Sequence, residues 1–227
     1  MKPARLGFGI IGAGAVGCAL GSALRATGHA LVGVVADSED SRERAQVRLA
    51  NVPILSPEQL VERSEAVLLA LPANQIAPTV EGLAALELWQ PGQLIIHTAP
   101  ALGTRPLAAA TARGALGLAI HPAMRFTGTS LDETLLVDCP FAITAAGPLQ
   151  PIGMALAVEL GGRPFVIAEG ERANYAAALL KTMRTLESAT DSLVDTMMEL
   201  SGDSEAAGAV TSRLLDATYV HVRDTKV

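Results

Sequence analysis

The chain has 227 residues, half of them apolar, and a formal charge of −6. That length accommodates one large domain and a small one, and the apolar share supplies a sizeable core, so a disordered chain is excluded. With no basic run anywhere, there is little electrostatic reason to approach nucleic acid or an anionic membrane, which leaves small molecules and protein partners. The start lacks a secretory leader pattern and no apolar stretch reaches about 18 residues, so a cytoplasmic protein is expected. Cys18 and Cys139 show neither metal-ligand spacing nor a secretory context and read as core thiols.

Apolar runs bounded by turn residues recur at 6–12, 30–36, 65–71, 93–97, 115–120, 137–143 and 163–168, with helix-like stretches between most of them. This alternation predicts an α/β fold with a doubly wound, mostly parallel sheet and helices on both faces. The first run belongs to "LGFGIIGAGAVGCALGSALRATGHALVGVVADS", residues 6–38, which sets Gly12, Gly14 and Gly17 between a strand and a helix and reaches Asp37 after the next strand. In that context G-x-G-x-x-G is the Rossmann dinucleotide fingerprint. Gly12 permits the tight turn, Gly14 lets a pyrophosphate approach the backbone, and Gly17 lets helix and strand pack closely. The turn from Gly12 through Ala13, Gly14, Ala15 and Val16 to Gly17 would offer a helix N-terminus to the phosphates.

Asp37, with Ser38 beside it, is placed to meet the ribose hydroxyls, and its charge opposes a 2′-phosphate. NAD is therefore favoured as cofactor, while Arg42 and Arg44 follow closely enough for one of them to pair a 2′-phosphate and leave NADP possible. Leu71 and Pro72, at the end of the third run, are further candidates for the cofactor site. The alternative is a Rossmann fold that has lost its nucleotide.

The first helix is expected from near Ala15 to Thr27-Gly28, where glycine can take the left-handed cap. Further helices fit 38–50, 56–63, 74–89, 104–113 and 148–160. Residues 171–201 then read as one long helix and 203–222 as a second. Along the former, Leu179, Met183, Leu186, Thr190, Leu193, Met197 and Leu200 alternate steps of four and three, a seam suited to helix pairing. About 31 helical residues at 1.5 Å each extend ~46 Å, and two helices alone can hardly build a core. The expected division is a dinucleotide-binding domain over 1–168 and a helical dimerisation domain over 169–227, with a second copy covering the seam.

"AVLLALPANQI" at 66–76, "LIIHTAPALG" at 94–103, "GLAIHPAMRFTG" at 117–128 and "ELGGRPFVIAEGERANYAAALL" at 159–180 follow in an order that resembles an uncharacterised Rossmann-like family. That family carries a C-terminal domain of unknown function and is kin to the 6-phosphogluconate dehydrogenase-like proteins, including pyrroline-carboxylate reductase and prephenate dehydrogenase. The resemblance covers roughly residues 6 to 190. It implies a nicotinamide-binding domain followed by a helical domain that pairs two chains, with the active site in the cleft between domains. The chain departs from the family pattern at His97-Thr98-Ala99-Pro100, where the family has His-Thr-Ser-Gly. It departs again at Tyr175-Ala176, where a Tyr-His pair is expected, and at Arg184, where an asparagine is. Related hydroxyacid dehydrogenases carry a lysine with an asparagine one turn later, and Lys181 with Thr185 matches that spacing in part.

Ligands of open parallel sheets sit beyond the carboxyl ends of the strands, which makes His97, closing the run 93–97, and His121, following 115–120, candidate catalytic residues. Lys181, the only lysine away from the termini, is a third. Arg125 follows His121 closely and could clamp a substrate carboxylate. Tyr175 reads as a packed aromatic, and His29 and His221 carry no signal. No nucleophile elbow, P-loop, carboxylate pair or metal-ligand spacing occurs, so no metal is expected. Two functions fit: an NAD(P)-dependent oxidoreductase acting on a small carboxylated metabolite, or a non-catalytic nucleotide-binding dimer in which Ala99, Pro100 and Ala176 mark lost chemistry.

Overall fold

Seven short strands, nearly all apolar, alternate with helices in the computed structural model, which describes residues 5–226. In chain order they are β1 (Gly7–Ile11), α1 (Ala15–Ala26), β2 (Ala30–Val35), α2 (Glu39–Arg48), α3 (Pro57–Arg63), β3 (Ala66–Leu69), α4 (Ala73–Ala85), β4 (Leu94–His97), α5 (Ala108–Thr111), β5 (Leu116–Pro122), α6 (Leu131–Leu136), β6 (Pro140–Ala145), α7 (Gln150–Glu159) and β7 (Arg163–Val166). Two long helices follow, α8 (Arg172–Ser201) and α9 (Ser204–Lys226). The chain divides into two compact units, one running to Tyr175 and one from Ala176 onward.

Local chemistry accounts for many of the boundaries. Gly28, at φ +96°, turns the chain out of α1, and capping boxes at Ser38 and Ser56 start α2 and α3. The strands form one sheet in the order β2-β1-β3-β4-β5-β6-β7. Side chains alternate across it: Ile10, Leu68, Ile96, Leu118 and Ile120 enter one core, while Ile11, Val67, Leu69 and Ile95 enter the other. A sheet buried on both faces needs apolar residues at successive positions, and that is why the strands read as continuous apolar runs.

The sheet is mostly parallel, as expected, and three features add to or depart from the sequence expectations. β6 runs antiparallel to β5, with His121 opposite Ala142, and β7 then runs parallel to β6. The helix expected over 74–89 ends at Ala85, and that expected over 104–113 is a 3-10 turn at Arg105–Leu107 leading into the single turn of α5. A helix not foreseen, α6, is anchored by buried Asp132, whose carboxylate accepts from Thr127 N–H at 2.7 Å and Gly128 N–H at 2.9 Å.

In the second unit, α8 exposes Met183, Leu186 and Leu200, the last two at 53% and 75%, and α9 exposes Leu214 and Tyr219. Leu179, Leu193 and Met197 are half-buried. Among the described residues no helix is long and apolar enough to cross a membrane.

Candidate functional site

The topological switch of the sheet lies at β1, whose neighbours β2 and β3 are reached by connections leaving in opposite directions. Ligands of such sheets bind there, at the strands' carboxyl ends, and the glycine turn follows β1. Gly12 has φ +105°, and a Cβ on it would lie 2.5 Å from the Ala70 carbonyl oxygen. At Gly17 a Cβ would lie 2.0 Å from the Gly12 carbonyl oxygen, so both positions are closed to side chains by backbone. Gly14 differs: a Cβ there meets nothing within 4 Å. Gly14 is also the N-cap of α1, has no side chain to cap the helix, and is followed by a first turn without acidic residues. The N–H groups of that turn are therefore left for an external acceptor, and the helix dipole favours an anionic one. The turn fits a dinucleotide pyrophosphate on these grounds.

Ala13 is buried, and its carbonyl accepts from Arg44 Nη1 at 3.2 Å. Asp37 is exposed just past β2, between Ala36, whose carbonyl accepts from Arg42 Nε at 3.1 Å, and Ser38. The Ser38 hydroxyl is engaged as the cap of α2, accepting from Ser41 N–H at 3.2 Å. The Asp37 carboxylate and the guanidiniums of Arg42 and Arg44 thus lie on the segment that would meet the ribose.

A cavity of about 300 Å³ opens beside α1, lined by Val16, by Leu71-Pro72-Ala73 after β3, by Thr98-Ala99-Pro100 after β4, and by His121, Pro122, Met124 and Phe126. Apart from Thr98 and His121 its walls are apolar. Val16, Leu71, Pro72 and His121, singled out on sequence grounds, meet here. Arg125 is exposed between the lining residues Met124 and Phe126.

His97 does not join them. It is 0% exposed, its Nδ1 accepts from Ala99 N–H at 3.2 Å, and its Nε2–H donates to the Gly103 carbonyl at 2.6 Å. Both ring nitrogens are therefore taken, and burial pushes its pKa down to about 4, against a raising effect of the Gly103 bond. Instead of offering a proton to a ligand, His97 pins the loop that carries Thr98, Ala99 and Pro100. Glu169 holds the other end of that loop, accepting from Thr104 N–H at 2.7 Å and from Arg105 N–H at 3.2 Å.

His121, half-buried at the end of β5, has its Nδ1 2.9 Å from the hydroxyl of Tyr175. Burial, and after it the Arg172 cation, pushes its pKa down to about 4, so the imidazole is neutral at neutral pH. Arg172 itself is 1% exposed. Its Nε donates to Thr144 Oγ1 at 2.7 Å, and its Nη2 to the carbonyls of Ala119 at 2.8 Å and Ala142 at 3.0 Å. Sequence reasoning missed both Tyr175 and Arg172. The tyrosine of the resembled family's Tyr-His pair was a signal for the first, and nothing in the sequence pointed to a buried cation. Lys181 lies on α8 in the second unit, exposed rather than desolvated, with its carbonyl accepting from Thr185 Oγ1 at 2.9 Å. Among the described residues no group of three His, Cys, Asp or Glu could hold a metal ion.

No curated protein matches the chain in sequence. Among solved structures, a Bacteroides fragilis protein assigned as an NADP oxidoreductase superposes with a TM-score of 0.75 at 17% identity, over 98% of this chain and 82% of that one. Plasmodium falciparum pyrroline carboxylate reductase with NADP bound gives 0.70 at 11% identity, over 98% and 80%. Prephenate dehydrogenase from A. aeolicus, in complex with hydroxyphenyl propionate and NAD+, gives 0.67 at 14% identity, over 92% and 79%. The model of the Rossmann-like domain matches residues 1–122, more than half of the chain. With the glycine turn, the switch at β1 and the cavity beside α1, this chain belongs to the Rossmann-like family and has the fold of NAD(P)-binding oxidoreductases.

Proposed function

We propose that the protein is an NAD(P)-dependent oxidoreductase acting on a small carbonyl or imino compound, carboxylated where Arg125 can meet it. The observation that carries this reading is the cavity that joins Val16, on the first turn of α1, to His121 at the end of β5. Gly12, Ala13, Gly14, Ala15, Val16 and Gly17 would hold the pyrophosphate, and Asp37 and Ser38 the ribose, with Leu71 and Pro72 walling the far end. A nicotinamide bound there supplies hydride transfer. The chain's own share is to orient the substrate, exclude water with the apolar walls, and meet the substrate's polar atom with His121. His97 is left out of that role because neither ring nitrogen is free. Asp37 favours NAD, and Arg42 and Arg44 are the groups that would admit NADP. We assign the seam of α8 and α9 to a second copy of the chain, giving a homodimer, and Lys181 to whatever site such a pairing completes.

The test is calorimetric titration with NADH and NADPH, followed by NADH oxidation across a panel of small keto and imino acids. Binding with turnover supports the enzyme; absence of binding by either cofactor refutes it. A second reading, a nucleotide-binding dimer without catalysis, is favoured by Ala99 and Pro100, which put apolar surface where the resembled family has a hydroxyl and a glycine. Binding without turnover on any substrate selects that reading.

A further inference from the structure

The hydrogen bond between His121 and Tyr175 joins residues 54 apart in sequence, one at the end of β5 and one on the first turn of α8. The phenol is held on two sides, its ring edge-on to the imidazole at 5.6 Å and to Phe165 of β7 at 6.1 Å. Two proton arrangements suit a 2.9 Å contact between a neutral imidazole and a phenol. Either the phenol donates to Nδ1, leaving the imidazole proton on Nε2, or Nδ1–H donates to the phenol oxygen.

Arg172 distinguishes them. It lies one turn before Tyr175, with its guanidinium carbon 6.0 Å from the centre of the phenol ring. Three hydrogen bonds to β5 and β6 hold it, and one of its nitrogens, Nη1, is buried without a partner among the described residues. A fixed positive charge draws electron density from the phenol oxygen, which makes its O–H a better donor and a poorer acceptor.

We propose that Tyr175 is a positioning residue for His121: its hydroxyl donates to Nδ1, under the influence of buried Arg172, and holds the imidazole in the tautomer protonated on Nε2. The inference rests on the reading of the cavity as the substrate site. Its consequence is a ligand class. A neutral imidazole with its proton on Nε2 offers a donor, so the resting site recognises an acceptor, a carbonyl or carboxylate oxygen. It offers no lone pair to take a proton from an alcohol. His97 is fixed in the same tautomer by a different donor, the Ala99 N–H.

The experiment is a long-range 1H–15N correlation spectrum of the full-length protein at pH 7, with the His121 signals assigned by their loss in His121→Asn. We expect an Nε2–H pattern in the parent. Tyr175→Phe keeps the ring and its contact with Phe165 and removes only the donor, so the fold is retained. In it the ratio of Nε2–H to Nδ1–H should fall by about tenfold, the loss of one hydrogen bond of ordinary strength. An Nδ1–H parent, or a ratio unchanged in Tyr175→Phe, overturns the proposal. The spectrum needs no cofactor, so its failure is separate from that of the oxidoreductase reading, which is decided by titration with NADH and NADPH.

Discussion

Replacing Gly14 by valine separates ligand binding from folding at the glycine turn. A Cβ at Gly14 meets nothing within 4 Å, and its φ of −76° is open to any residue, so the fold has room for the side chain. The cost in stability is that of a weak N-cap, about 1 kcal/mol or less. Binding is another matter, because the branched side chain stands where a pyrophosphate would approach the first-turn N–H groups. Two charge-assisted hydrogen bonds lost there, at about 1.5–3 kcal/mol each, amount to roughly 10²- to 10⁴-fold in affinity for NADH. Gly17→Ala provides the contrast: its Cβ would lie 2.0 Å from the Gly12 carbonyl oxygen and 3.1 Å from the Ala70 Cβ. Forcing helix and strand apart costs about 1–3 kcal/mol or more, so this variant should lose both stability and binding. Calorimetric titration with NADH and urea unfolding, run on the parent and both variants, measure the two quantities. If Gly14→Val binds NADH as the parent does, the open space at Gly14 is not where phosphates sit.

Asp37→Ala should narrow the preference for NADH over NADPH, and Arg44→Ala should weaken NADPH more than NADH; ratios unmoved in titrations of both variants would remove the segment after β2 from the site. His97 stays neutral in the fold, its pKa near 4, while the unfolded chain takes a proton near 6.5. The unfolded state therefore binds more protons between those values, and the contribution of His97 to stability should fall by about 3 kcal/mol as pH drops from 6.5 to 4, in addition to that of His121. Urea unfolding across that range should show a shallower decline in His97→Gln, and equal slopes would contradict the burial of this ring. Light scattering should return a dimer mass at micromolar concentration, with Leu186→Arg combined with Leu193→Arg reducing it to a monomer; a monomeric parent would refute the pairing of α8 and α9.

What the sequence reveals here is what the backbone demands. The glycine turn is legible because no other residue fits Gly12 or Gly17, and the strands are legible because a sheet covered on both faces needs unbroken apolar runs. The direction of β6 is not, since "PFAITA" presents the same apolar faces to the sheet whichever way it runs. α6 escapes notice because it is six residues long, exposes Leu131 and Leu135, and is held by the Asp132 hydrogen bonds rather than by an amphipathic stripe. His97 and His121 both close strands and look equivalent in one dimension. They are separated by partners that only the tertiary fold supplies, a carbonyl at Gly103 for one and a phenol 54 residues away for the other.

Arg172 also bears on how far the sheet is a transferable module. A fragment ending at Ala168 would contain every strand, yet it would leave Thr144, Ala119 and Ala142 without the guanidinium that bridges β5 to β6 across the line where strand direction reverses. It would also lose Glu169, which ties down the loop after β4. A fragment ending after Tyr175 keeps both, and the hydroxyl on His121 with them. The smallest portable version of this domain therefore includes the first turn of the long helix, and a chimera joined before that turn would inherit the sheet without the parts that shape its cavity.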